Sequence, residues 1–286
     1  MTVTVITYIV LISQLVIMSY YYPQQIINRA NFVLNHYPAS THPKLYPSID
    51  GDKKIHKWLN LFKFLAYGSG ILFITALIGA VASSTTIIAP VVFFFAMLQF
   101  SPFLLLEISG FKYNKMLRLK NTSSKRSATI KPRHLLDYVS SGKLAVAAAL
   151  LIGYLIFNQY RVGFELSYKS AGFVTLISMI LVHTMFASIV IWRLRGKKIN
   201  PHQSNEDRER DTQGTVTSMV NVSMLMSVFL FVFGLIQHFS LDQYEAASMS
   251  IYMQLCAFLS LGTMLKANSL KKIDFDVYKN DVTSLQ

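Results

Sequence analysis

Four polar side chains, Gln14, Gln99, His183 and Gln254, stand in otherwise apolar surroundings. Each falls near the middle of a long uncharged run. If those runs cross a membrane, an unpaired polar group there is costly and turns toward other helices or a water-filled cavity. His183 has the widest chemistry of the four, since an imidazole can relay protons or hold a metal or haem. A metal needs further ligands at similar depth. The sequence offers none: His238 lies near the end of a later run, and Cys256 has no histidine or carboxylate close to it in sequence. The plainer reading is a neutral imidazole bonded to a neighbouring helix, or locally through Thr184 or Ser188. Gln99 is followed by Ser101 and Pro102. Proline has no amide proton and crowds the carbonyl of Leu98, so a bend is expected there. A bent helix with a free carbonyl beside an amide can line a substrate cavity. Gln14 and Gln254 suit interhelical hydrogen bonds, which need no further function. No cofactor and no metal are expected.

A second candidate group lies at the ends of the runs. Glu107, His134 and Asp137 would form a pocket suited to lipid or quinone chemistry if the fold brought them together. No acid falls deep inside any run, which weighs against transport coupled through a buried carboxylate. The chain has no phosphate-binding glycine loop, no His-Glu-x-x-His zinc motif and no paired carboxylates for acid and base work. Seven-helix receptors and retinal proteins compare poorly: the last run has no central lysine and no Asn-Pro pair, and the third has no aspartate.

The elements that position these residues are seven apolar runs, at about 3–22, 62–83, 87–107, 143–160, 170–192, 217–239 and 246–265. Each is near the length a spanning helix requires. Of the 286 residues 52% are hydrophobic and only 14% charged, which places the chain with membrane proteins. The formal charge of +13 does not indicate nucleic acid, because the cations fall in the gaps between runs. Arg29, Lys44, Lys53, Lys54 and Lys57 separate the first two; eight cations from Lys112 to Arg133 separate the third and fourth; Arg193, Arg195, Lys197 and Lys198 follow the fifth. The alternate gaps carry few charges. Short basic loops stay in the cytoplasm, so the N-terminus is expected outside and the C-terminus inside. The first run has no basic residue before it and no small-residue cleavage site after it, so it reads as a retained span rather than a signal peptide. The rival is six spans, with the first run lying in the interface.

Several local expectations follow. Asp52 should cap an amphipathic helix, with Ile55, Trp58, Leu59, Phe62 and Leu65 on one face, that lies on the membrane before turning into the second span. The polar segment 121–132 should be mobile. Ser204 with Asp207, and Glu206 with Arg210, predict a short exposed helix. Small residues at fourfold spacing (Ala66 and Gly70; Thr75, Gly79 and Ser83; Ala145, Ala149 and Gly153) should sit where helices approach closely. The odd runs share a central polar residue and a basic end, which suggests three hairpins preceded by one extra helix.

The sequence therefore predicts an all-α, multi-pass bundle forming one integral membrane domain, most simply in a bacterial cytoplasmic membrane. The function expected is that of a non-catalytic component whose basic face binds anionic lipid headgroups or a protein partner. The alternatives are a transporter or channel subunit built around His183, Gln99 and Pro102, and a lipid- or quinone-modifying enzyme.

Overall fold

In the computed structural model, residues 2–48, 51–121, 133–164, 167–196 and 198–279 are described. The expected mobile segment lies outside them except for Asn121. Every regular element among the described residues is helical. Helix α1 (Thr2–Leu15) widens into a π-helical turn at Val16–Tyr21 and continues as α2 (Tyr22–His36). There follow α3 (Gly51–Ala82), α4 (Ala89–Lys120), α5 (Ser141–Arg161), α6 (Ala171–Arg195) and α7 (Asn205–His238). Helix α8 (Glu245–Ala257) passes through a second π turn, Phe258–Gly262, into α9 (Thr263–Ala267). Seven segments are long and apolar enough to cross a membrane, the first running from Val3 to His36.

The first run is part of the bundle: Leu11 and Gln14 are 0% exposed and Met18 1%. Burial of that kind does not fit a helix lying flat on the membrane surface. Helices α1, α3, α4 and α8 share one core, with Leu11, Phe73, Val92 and Ala246 toward one end and Met18, Phe62, Ala96 and Met253 further along. Helices α5 and α6 pack around α7 through Val190, Val216 and Val220, beneath Val139 of the preceding loop. Helix α7 also packs against α8 and α9, and so joins the two groups.

Two helices run further than the sequence patterning suggests. The amphipathic stretch after Asp52 does not turn on the membrane; it is the first part of a single 32-residue helix, with Leu59 and Phe62 buried and Trp58 exposed. No proline interrupts Asp52 to Ala82, and breaking the helix there would leave backbone groups without partners. The short helix expected at Ser204 is likewise the first turns of the 34-residue α7. Its local signals are in place: the Ser204 hydroxyl accepts the Asp207 amide at 3.0 Å, and Arg210 lies 3.8 Å from Glu206.

The small-residue stripes divide. Ala66 and Gly70 face the core, whereas Thr75, Gly79 and Ser83 face outward, as do Ala145, Ala149 and Gly153. Helix α5 meets its neighbours through larger groups, such as Phe157 against Phe231 with ring centres 4.5 Å apart. Gly70, unlike Gly79 and Gly153, makes a close approach, since a methyl group there would lie 2.8 Å from the Cβ of Ser19 in the first π turn. Gly70→Val should therefore destabilise the protein by about 1–3 kcal/mol, read as a lowered unfolding midpoint in detergent. Gly79→Val, whose new atoms meet open space, should leave that midpoint nearly unchanged; equal losses would contradict this packing.

Candidate functional site: two amide clusters and a basic end

Pro23 supplies no amide proton and crowds the carbonyl four residues back, that of Ser19. The preceding turn widens to π geometry, and Ser19 is buried within it. Its hydroxyl accepts the side-chain amide of Gln99 at 3.0 Å and lies 3.5 Å from the hydroxyl of Ser69. Gln99 in turn accepts from the Gln14 amide at 2.8 Å. Gln14 and Gln99 are both 0% exposed, so this cluster ties α1, α3 and α4 together out of reach of solvent. The Oε1 of Gln14 has no partner among the described residues.

The adjacent residue, Ser13, begins a second cluster. Its hydroxyl is 2.9 Å from Oε1 of Gln254, whose amide donates to the carbonyl of Val10 at 3.0 Å and lies 3.2 Å from the Ser250 hydroxyl. Three of the four central polar residues thus meet at α1: Gln14 fastens α4 to it through Gln99, and Gln254 fastens α8 to it through Ser13 and Val10.

Pro102 is buried within an α4 that continues past it. The carbonyl of Leu98, which the proline leaves without its usual donor, accepts the Ser101 hydroxyl at 2.7 Å. The backbone group expected to line a cavity is satisfied within its own turn.

His183 lies apart, on α6 in the other helix group. Its Nδ1 is 2.9 Å from the carbonyl of Met179. A carbonyl only accepts, so Nδ1 carries the proton and Nε2 the lone pair; Nε2 is buried and has no partner among the described residues. The local hydroxyls do not reach the imidazole: Thr184 and Ser188 each bond the carbonyl four residues back at 2.8 Å. Among the described residues, no three His, Cys, Asp or Glu side chains gather as a metal site would require.

Glu107 is exposed on α4, along an open groove lined by Ile108, Phe111, Lys112 and Lys115. His134 and Asp137 are exposed at either end of a single 3-10 turn, where Asp137 accepts the His134 amide at 2.9 Å. Neither lines the groove beside Glu107.

A further polar assembly is one that sequence patterning did not locate. At the end of the bundle where the basic gaps converge, the segment 268–279 folds back across the helix ends. Phe275 stacks on Tyr37 at 3.8 Å, Tyr278 accepts the Asn200 amide at 3.0 Å, and the Asp274 amide donates to Asp207 at 3.3 Å. Buried Asp207 also pairs with Arg210, which bonds the carbonyl of Lys272. Asp211 takes Arg193 at 3.2 Å and the Asn268 amide at 3.2 Å. Nearby, burial and the charge of Lys279 push the pKa of His42 down, with Asp276 opposing them weakly. The only local signal in sequence is the aromatic spacing Phe275-x-x-Tyr278; its partners lie up to 238 residues away.

Comparison with protein-family models, curated proteins and solved structures gives no match. The seven long apolar helices define the class as the polytopic α-helical membrane protein.

The Gln14–Gln99 pair should behave as one unit. Gln99→Leu removes two interhelical bonds, each worth about 0.6–2 kcal/mol, and strands the buried Gln14 amide. Adding Gln14→Leu removes that stranded group, so the double variant should be less destabilised than the sum of the single ones. Detergent unfolding of all four proteins measures the coupling, and strict additivity would count against it.

Proposed function

We propose that this protein is a non-catalytic membrane component that holds anionic lipids at its basic end, with that end facing the cytoplasm of a bacterial cell. The observation that carries this reading is the separation of charge. Helix ends rich in Lys and Arg meet at one end of the bundle, and Asp207 and Asp211 there are already engaged by Arg210 and Arg193. At the other end Arg161 donates to Gln237 at 3.1 Å, near Glu245, so cations and acids are few and mixed. Cations near a membrane surface attract anionic headgroups by about 1 kcal/mol each, and the exposed ones at this end act together. The closed amide clusters favour this reading over a transport path, because Gln14 and Gln99 are sealed from solvent and bonded to one another.

Two measurements test it. Full-length protein in micelles holding equal amounts of phosphatidylglycerol and phosphatidylcholine should retain the anionic lipid severalfold better by native mass spectrometry. Raising the ionic strength should erode that preference, and equal retention of both lipids would refute it. In a background lacking Cys256, thiols introduced at Ser84 and Gln243 should react with an impermeant reagent from outside intact cells, while one at Asn205 should not. The reverse pattern would invert the orientation.

A further inference from the structure

Three cations at the junction of α6, α7 and the loop before α5 have no ion-pair partner among the described residues. Arg208 donates to the carbonyl of Gly196 at 2.6 Å and Lys198 to that of Gln203 at 3.1 Å. These bonds hold both side chains in place without neutralising them. Arg133 comes to the same end of the bundle because Leu135, Tyr138 and Val139, just after it, pack against Val190 and Leu194 of α6 and Val216 of α7; it makes no ion pair among the described residues, and its charge is felt at both Lys198 and Arg208. Burial first, and then Arg208 and Arg133, push the Lys198 ammonium below its ordinary value.

The nearby acids are already paired or are exposed. Asp211 is held by Arg193 and Asn268; Asp137, which accepts the His134 amide, and Glu209 are both exposed near Tyr138. Holding three like charges together, partly out of water, is unfavourable unless a counter-charge joins them. A small cavity opens here between Trp192, Gln203, Arg208 and Thr212, with the paired Arg193 and Asp211 also on its wall. It has a volume of about 20 Å³, room for a single water, so a larger anion would rest at its mouth.

We propose that Arg133, Lys198 and Arg208 form a specific site for the phosphate of an anionic phospholipid. The proposal rests on the lipid-binding reading above and narrows it to one place. Phosphate matches this donor set because guanidinium groups bind its oxygens through paired hydrogen bonds while an ammonium supplies a point charge. A lipid rather than free phosphate is favoured by the surface alongside. Trp192 stacks on Phe111 with ring centres 5.6 Å apart, and both are exposed, at 46% and 43%, offering apolar area to acyl chains.

The test compares two double variants of the full-length protein, matched in charge lost. Arg133→Gln with Lys198→Gln alters the site; Lys112→Gln with Lys115→Gln alters exposed cations on the α4 groove. Retention of phosphatidylglycerol, measured by titration in micelles, should fall about tenfold further for the first pair than for the second. Arg133→Gln alone, which removes a side chain without a hydrogen bond or ion pair among the described residues, should give a clear part of that loss at an unchanged unfolding midpoint. Equal losses for the two pairs, with wild type still preferring phosphatidylglycerol, would overturn the site while leaving the broader lipid reading intact. No preference in wild type would overturn both. If inorganic phosphate binds wild type alone and displaces the lipid at similar concentration, the site serves free phosphate and the lipid assignment fails.

Discussion

The constraint beneath this fold is that a peptide group within hydrocarbon has no water to bond. Each N–H and C=O left open there costs several kcal/mol, so a chain with seven long apolar runs has the helix as its economical form. The same constraint explains why the helices overrun their apolar cores. Ending α3 or α7 at the edge of the hydrophobic stretch would expose four backbone groups, whereas continuing it costs little when the sequence contains no proline. Where proline does occur the structure repairs the ladder locally. At Pro102 a serine hydroxyl takes the released carbonyl, and just before Pro23 the helix widens by a π turn.

Apolar side chains gain little by leaving lipid for one another, so specificity in such a bundle falls to close packing and to the few polar groups inside it. Here the π turn presents Ser19 to Gln99, and Gly70 gives α3 the clearance to approach that turn. Gln14 and Gln254 then fasten neighbouring helices to α1. Individually these bonds are modest, but each partner would be stranded without the other, and that asymmetry discriminates against other helix arrangements.

Electrostatics acts at the ends rather than in the middle. Asp207 and Asp211 are placed among more cations than they can neutralise, and they are used to anchor the returning segment 268–279 to α7. Trp192 and Phe111 place exposed apolar surface at the same end of the bundle. Structural ion pairs and the proposed phosphate site are two outcomes of one imbalance.

The sequence by itself determined the number of membrane-crossing helices, the gathering of cations in alternate gaps, and the capping at Ser204, because these depend on composition and on residues a few positions apart. It also marked Gln14, Gln99, His183 and Gln254 as polar residues needing an explanation. Only the tertiary structure decided that three of them cluster about α1 while His183 bonds its own turn, and that Glu107 lies outside the turn formed by His134 and Asp137. It alone decided that the stripe at Ala145, Ala149 and Gly153 faces outward, and that Phe275 reaches Tyr37. The physical reason is that helix rotation and neighbour choice are set by side-chain fit between segments far apart in the chain. Hydrophobic patterning carries little of that information where both lipid and protein neighbours are apolar.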